Sequence, residues 1–439
     1  MNGKRRLKMK QLTRLFIPIC LETLFYMLSG MVDTLMLSAV GDYAVGTAHS
    51  YIGIFIIMFS IISSGMVSVM TQNIGAGRPG VAYQARQLGL LFNAVAGVLM
   101  AVFLFSGAGA ILRMVGIADA LYEPALIYLK IVGGGCILNA VIPIFSSYLR
   151  AFGYTKQPLY ATIVGNIANF VMNAVFLFVL HKGVAGVATA TVISKILNLC
   201  IVLYFSHKLI SAKNSTERIA NKTVLGQIVK VGLPSACETA LYNVAMMLVI
   251  RFLNQMDAEG LNVTARSYTA TISNFSYCVG AALAQANAIM TGWHIGAGEL
   301  EECDRGTKRA AFVGVCVAVC METAIVLGSG FIMPLFTDNP EMTALVRKLL
   351  AIDIVLEIGR VTNLVFGQAL KTSGDAVFPA VIAAVFMFVF AVGGTWLFGI
   401  SMGLMAVGAY IGLASDECVR AVGMVWRWKT GKWRTKKLV

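Results

Sequence analysis

The sequence is poor in charged residues, which make up 13% of its 439 positions, whereas hydrophobic residues make up 58%. A soluble globular domain carries about 25% charged residues, so the composition excludes a soluble fold. Long stretches contain no charged side chain at all, among them 87–112 and 157–180. About 20 apolar residues in a helix cross the hydrocarbon core of a bilayer, and these stretches therefore predict transmembrane helices.

The chain also lacks the residue spacings of an enzyme or a metal centre. Nine Cys and four His residues are present, but they form no Cys-x-x-Cys pair and no ligand spacing. No Ser/His/Asp, Walker or kinase pattern occurs, so we expect no enzymatic activity, no metal and no cofactor. The net charge of +14 does not indicate nucleic acid as a partner, because Lys and Arg lie at span ends, next to anionic lipid.

Apolar windows predict twelve spans, six on each side of a polar stretch. The predicted domains are an N-lobe at 1–206, a cytoplasmic linker at 207–224 and a C-lobe at 225–439. Most of the 35 Lys and Arg residues flank the N-terminus, the loops after even-numbered spans and the C-terminus. By the positive-inside rule, this asymmetry predicts that both termini are cytoplasmic.

Motifs of the first half recur in the same order in the second half. The matching segments are Pro18–Thr23 and Pro234–Thr239, Ile74–Gly77 and Ile295–Gly298, and Gly153 with Pro158 and Gly374 with Pro379. Each half has an even number of spans, so both halves enter the membrane from the same side. The predicted fold class is an all-α integral membrane protein with twelve transmembrane helices in two six-helix lobes, related by a pseudo-two-fold axis along the membrane normal.

Acidic side chains within spans cost about 2.5 to 3.5 kcal/mol each on insertion scales, and they therefore indicate either function or a paired structural role. Glu22 and Asp33 lie within about 20° of each other around the first span, and Pro18, Tyr26 and Ser29 share their face. We predict that this face lines a hydrated chamber where Glu22 and Asp33 exchange protons and Pro18 acts as a hinge. A structural polar seam is the alternative.

Polar groups of other spans also follow helical spacing. Asn166, Asn169 and Asn173 form one stripe on the fifth span, which either lines a substrate cavity or bonds neighbouring helices. In the tenth span, Glu357 and Arg360 are spaced for a structural ion pair. Other charges are expected to pair locally, namely Asp416 and Glu417 with Arg420, and Arg251 and Arg266 with Asp257 or Glu259. The alternative for Arg251 and Arg266 is that they line an anion-attracting surface.

Taken together, Pro-x-x-x-Glu in the first span, Met31–Thr34, Ile74–Gly77, and Arg150 to Gly153 followed by Pro158 resemble the multidrug and toxic compound extrusion (MATE) family, closer to its proton-coupled, DNA-damage-inducible branch. The resemblance covers nearly the whole chain. It implies a monomeric antiporter of a bacterial inner membrane that exports amphiphilic, mainly cationic compounds in exchange for protons. Its partners would be small-molecule substrates and membrane lipids.

The resemblance also implies roles for individual residues. Asp33 corresponds to a cation-coupling aspartate, and Glu238, with Tyr242 one turn on, corresponds to a glutamate that helps bind cation or substrate. The branch has an acid at the position of Asn173, an amide at Asn169 and a hydroxyl near Thr191. Here the acid is missing, which leaves Glu22 as the second acid.

Arg360 falls where relatives carry an acid in the tenth span, and this reversal of sign favours protons over sodium as the coupling ion. A sodium-coupled exporter of the same family remains an alternative. A lipid-linked precursor flippase of the wider superfamily is another, and it would need a strongly basic cavity. A membrane-embedded binding protein without turnover is the alternative outside transport.

Overall fold

A computed structural model describes residues 2–38, 59, 62–115, 119–211, 217–257 and 259–439. The side chains at 2–9, 31–35, 37–38, 115 and 120 lie outside this description, and the predicted coupling residue Asp33 is among them. The described ranges are helical and contain no β-strand. The chain forms two compact units, Met1–Gly232 and Leu233–Val439.

The first unit contains the predicted N-lobe spans, although the second span is described only in its last part. Its helices are α1 (Asn2–Ser38), α2 (62–75), α3 (Pro79–Val115), α4 (Asp119–Gly134), α5 (Cys136–Ala151), α6 (Lys156–Ala174), which continues into a π-helical turn (Val175–Val179), and α7 (Gly183–Leu209). The fourth predicted span is the pair α4 and α5, which meet at a bend of 41°.

The second unit contains the predicted C-lobe spans. Its helices are α8 (Asn221–Met256), which begins in the first unit, α9 (Leu261–Gly296), α10 (Leu300–Ile332) with a 3-10 turn (Met333–Leu335), α11 (Pro340–Ser373), α12 (Val377–Phe386) with π-helical turns (Met387–Val392 and Thr395–Ser401), α13 (Met405–Lys429) and a 3-10 turn (Lys432–Thr435). The fifth and eleventh spans, which are repeat partners, thus both end in π-helical turns.

The outer faces of the helices are apolar. Leu99 and Val102 on α3 are 67% and 62% exposed, and Leu327 on α10 is 73% exposed. Such continuous apolar surface is unusual in water but is what hydrocarbon requires of a spanning helix. Of the described helices, seven are long and apolar enough to cross a membrane, or eight if α4 and α5 form one broken span. Helices α9, α11 and α13, which carry the buried polar groups described below, are not among them.

The sequence repeat is also a repeat of backbone conformation. Gly77 and Gly298 both have a φ of 75°, and Gly153 and Gly374 have φ values of 83° and 97°. Glycine adopts this left-handed region without the steric cost that a Cβ brings. At Gly374 a Cβ would also lie 2.3 Å from the carbonyl oxygen of Lys436. The repeated glycines therefore mark equivalent tight turns at the ends of equivalent helices.

Candidate functional site

An ion pair joins α1 to the end of α5 in the first unit. Nη2 of Arg150 donates to Oε1 of Glu22 at 2.5 Å, and Glu22 is only 9% exposed. A carboxylate bonded to a guanidinium has a strong, charge-assisted partner, which a proton would have to displace. Proton exchange at Glu22 therefore stays a prediction, and it would require this pair to open.

The second unit contains the equivalent pair. Nζ of Lys371 lies 2.8 Å from Oε2 of Glu238. Glu238 is the repeat partner of Glu22, and Lys371 occupies the position of Arg150 in the repeated motif. Each half thus contains an ion pair between its first and fourth spans. An alignment of the halves could have indicated these partners, because both bases belong to the repeat. The coupling role of Glu238 stays a prediction.

Helix α1 runs through Pro18 without a break. A proline cannot donate to the carbonyl four residues before it, which here belongs to Arg14. The hydroxyl of Thr155, a residue that is 2% exposed, donates to this carbonyl at 3.4 Å. A side chain from the start of α6 therefore compensates part of the defect that Pro18 creates, and a hinge at Pro18 would have to break this contact.

The amide stripe of α6 faces protein. Nδ2 of Asn166 donates to the carbonyl of Phe25 at 2.7 Å and so bonds α6 to α1. Asn169 and Asn173 are buried, and Nδ2 of Asn173 lies 3.3 Å from Oδ1 of Asn169. Thr191 on α7 is also buried, and its hydroxyl donates to a carbonyl of its own helix. Asn166 thus bonds two helices, which is one of the two alternatives that the sequence left open.

The polar face of α1 changes environment along its length. Pro18 and Glu22 are buried, Ser29 is half-buried and Tyr26 is 68% exposed. Asp33 lies one turn before the end of α1, but its side chain is outside the described residues. The face therefore runs from the packed interior of the first unit towards a more open surface.

The second unit contains a network of buried charges between α11 and α13. Arg360 donates to Glu357 on its own helix and lies 3.6 Å from Glu417 on α13. Arg420 binds both oxygens of Asp416, with its shortest contact at 2.7 Å, and lies 2.8 Å from Glu417. The predicted local pairing of Arg420 with these acids is confirmed. Glu417 links the two guanidiniums, a connection between helices that spacing along one helix could not predict.

A glycine brings these two helices together. A Cβ at Gly359 would lie 2.7 Å from the backbone nitrogen of Cys418 and 2.8 Å from the carbonyl carbon of Glu417. The backbones of α11 and α13 therefore touch one residue away from Arg360, which places Glu417 beside that guanidinium. Nδ2 of Asn363 adds a hydrogen bond to Glu417 at 3.0 Å.

A cavity of about 270 Å³ lies next to this network, within the second unit. Its walls combine aromatic rings with charged and apolar side chains. The residues that matter for recognition are Tyr242, Tyr277, Tyr410, Arg266, Arg360, Asp353, Asp416 and Glu417. Of the residues predicted to line a substrate cavity, Tyr242 lies here, whereas the others belong to the first unit.

Arg266 lines the cavity and does not pair with Asp257, so the predicted pairing with this acid is wrong. Oδ1 and Oδ2 of Asp257 accept the backbone amides of Leu261 and Asn262, both at 2.9 Å, at the start of α9. Burial acts to raise the pKa of this carboxyl, but the hydrogen bonds outweigh burial and lower the pKa below its usual value. Nε of Arg266 has no hydrogen-bond partner among the residues that the structure describes, and Nη2 contacts the sulfur of Met246 at 3.8 Å.

The comparisons with known proteins agree with this division into two similar halves. The MatE family model matches the chain twice, at residues 18–175 and 234–397. A Bacillus subtilis (strain 168) protein described as uncharacterized transporter YisQ is 32% identical over 428 residues, which cover 95% of this chain and 94% of that protein.

Two solved structures illustrate the fold. One is a multidrug resistance MATE family transporter of the MOP superfamily in an outward-facing conformation, with a TM-score of 0.87 at 19% identity. The match covers 98% of this chain and 97% of that transporter. The other is a MOP superfamily transporter from Pyrococcus furiosus, whose binding pocket is described as having reverse polarity. It has a TM-score of 0.82 at 19% identity, and the match covers 97% of each chain. These likenesses confirm the predicted all-helical, twelve-span fold.

Proposed function

The chain belongs to the MatE family of membrane transporters, and we propose that it is a secondary multidrug exporter that exchanges cytoplasmic amphiphilic compounds, mainly organic cations, for protons. It is a multi-pass membrane protein and a transporter rather than an enzyme. The distribution of Lys and Arg supports cytoplasmic termini, and the proposed location is a bacterial inner membrane. We propose that it works as a monomer.

The cavity of the second unit is the observation that carries this proposal. Its volume of about 270 Å³ is slightly below the range of typical ligand pockets, which starts at about 300 Å³, and it therefore suits part of a small amphiphile. The rings of Tyr242, Tyr277 and Tyr410 line it, and aromatic faces attract organic cations. Selectivity built from ring faces and shape is broad, as a multidrug exporter requires.

Coupling follows from competition between cargo and proton for carboxylates. In the inward-open state an ionised acid attracts a cationic guest, and in the outward-open state a proton neutralises the acid and the guest leaves. Asp33 is the acid that we propose for this exchange, with Glu22 and Glu238 as further candidates once their base partners have moved. One charge crossing about 180 mV supplies about 4 kcal/mol, which sustains a gradient of roughly a thousandfold.

The flippase alternative is not favoured by the cavity. A pyrophosphate-linked lipid needs a strongly basic pocket, whereas Asp353, Asp416 and Glu417 face this one together with Arg266 and Arg360. The lining is therefore mixed in charge rather than basic.

Transport in everted membrane vesicles tests the proposal. Uptake of the fluorescent cation ethidium should collapse when the pH gradient is dissipated and should survive removal of sodium. Asp33→Asn should lower the uptake rate at least about tenfold, which corresponds to about 1.4 kcal/mol. Asp338→Asn, the same change at an exposed loop position, should leave uptake unchanged. Uptake that stops only without sodium would reverse the ion assignment, and full activity of Asp33→Asn would refute the role of this residue.

A further inference from the structure

Glu322 of α10 is a fully buried acid without a partner. Its exposure is 0%, and neither carboxyl oxygen has a hydrogen-bond partner among the described residues. The hydroxyl of Ser276 on α9 lies close enough to influence this carboxyl, but without the geometry of a hydrogen bond. A buried carboxylate that lacks both a cation and donors is strongly disfavoured. The Glu322 carboxyl is therefore suited to hold a proton.

Asp353 of α11 is the second acid of this kind. It is 3% exposed, and its Oδ2 has no hydrogen-bond partner within the described part of the chain. Ser273 of α9 and Tyr410 of α13 lie beside it, and all three line the cavity. Asp353 therefore differs from Glu322 in one respect, because it faces a space that can hold water.

Every fixed cation of the network has a carboxylate of its own. Arg360 is bonded to Glu357, and Arg420 is bonded to Asp416, with Glu417 shared between the two guanidiniums. These acids are as buried as the unpaired ones, since none of them exceeds 7% exposure. The two guanidiniums are thus already outnumbered by their own partners. Arg266 of α9 is a third guanidinium on the cavity wall, and among the described residues its Nη2 contacts the sulfur of Met246 rather than a carboxylate.

The two unpaired acids are also near each other and near the network. Asp353 and Glu357 act on Glu322 as like charges, and Arg360 acts on it as the opposite charge. On Asp353, Arg360 acts as the opposite charge and Glu417 acts as a like charge. Two neighbouring carboxyls in a medium of low dielectric constant do not both ionise, and one of them retains a proton.

A proton suits this pair better than a metal ion does. The described residues contain no group of three or more His, Cys, Asp or Glu arranged to hold a metal. The hydroxyls of Ser273 and Ser276 are buried and find no hydrogen-bond partner in the part of the chain that the structure describes. A hydroxyl can donate to a carboxylate or accept from a carboxylic acid, so both serines can serve the charged and the neutral form of the pair.

We propose that Glu322 and Asp353 form a proton-binding pair inside the second unit, which is loaded from the cavity through Asp353 and is separate from Glu22, Asp33 and Glu238. Proton loading would change the charge of the cavity wall without disturbing the ion pairs of Arg360 and Arg420. The use of this proton in transport rests on the proposed function, whereas its binding does not.

Infrared difference spectroscopy of the full chain in lipid vesicles tests the proposal without any transport assay. Spectra recorded from acidic to alkaline pH at constant sodium should show a protonated carboxyl band in the wild type that persists at neutral pH. In Glu322→Gln and in Asp353→Asn part of this band should be lost. The remaining acid should titrate at least about one pH unit lower, because its like-charged neighbour is gone. Glu341→Gln, an exposed glutamate of α11, should match the wild type.

Three results would overturn the pair. The wild type could show no protonated carboxyl at neutral pH. This measurement needs no variant, so it tests the pair even if a variant does not fold. Both variants could keep the full band with its midpoint unchanged. Sodium added at constant pH could abolish the wild-type band, which would make the site a sodium site. None of these results depends on whether the protein exports ethidium, so failure of the pair is distinguishable from failure of the proposed function.

Discussion

Replacing Arg360 by Met should destabilise the second unit by leaving Glu357 as an unpaired buried acid. Glu357 has no exposed surface, and Arg360 is the base bonded to it. Glu417 would be affected less, because Arg420 at 2.8 Å and Asn363 at 3.0 Å remain as its partners. Removing one partner of a buried pair costs about 3 to 5 kcal/mol. The Arg360 side chain is 21% exposed, so we expect the lower end, about 3 kcal/mol.

This change is measured as a difference in the free energy of unfolding in mixed detergent micelles. Unfolding is monitored by the fluorescence of the buried Trp428 and Trp433. Arg347→Met is the matched control, since Arg347 is an exposed residue of the same helix. Adding Glu357→Gln to Arg360→Met should restore most of the lost stability, because it removes the unpaired charge. The deficit of Arg360→Met should also shrink as the pH falls, because protonation neutralises the same carboxyl. An Arg360→Met variant as stable as its control, or a double variant without recovery, would refute the reasoning.

Gly359→Ala should cost about 1 to 3 kcal/mol by overpacking the contact of α11 with α13. A Cβ at Gly306 would meet no atom of the described residues within 4 Å, so Gly306→Ala should be neutral or stabilising in the same unfolding assay. Equal effects of the two variants would exclude a close helix contact at Gly359. Asp257→Ala should cost about 1 kcal/mol by removing the carboxylate that caps α9. Because the pKa of Asp257 is lowered in the folded protein, its contribution is present at neutral pH and is lost as the pH falls through that pKa. The wild type and Asp257→Ala should therefore converge in stability at acidic pH, and a constant difference between their unfolding curves would argue against the cap.

The local pairs of the second unit were predictable from spacing, and the longer-range contacts were not. Asp416 and Arg420 stand one turn apart on α13 and bind each other as the helical spacing predicts. Arg266 was assigned to an acid by proximity along the chain, but Asp257 is used by the first backbone amides of α9 instead. A helix start leaves its amides unsatisfied, and these amides are stronger competitors for the carboxylate than a side chain one turn further on.

The sequence by itself determined the number of spans, their helical character and the division into two equivalent halves. The physical reason is that hydrocarbon offers no hydrogen-bond partner, so each apolar stretch of sufficient length must form a helix. Only the tertiary structure decided which buried acids form an ion pair with a basic side chain. Arg150 and Glu22 are 128 residues apart, and their contact depends on how the packing of α1 along α6 brings Glu22 to the end of α5. The isolation of Glu322 and Asp353 likewise follows from the packing of α9, α10, α11 and α13, because a carboxyl is paired or unpaired according to what neighbouring helices place beside it.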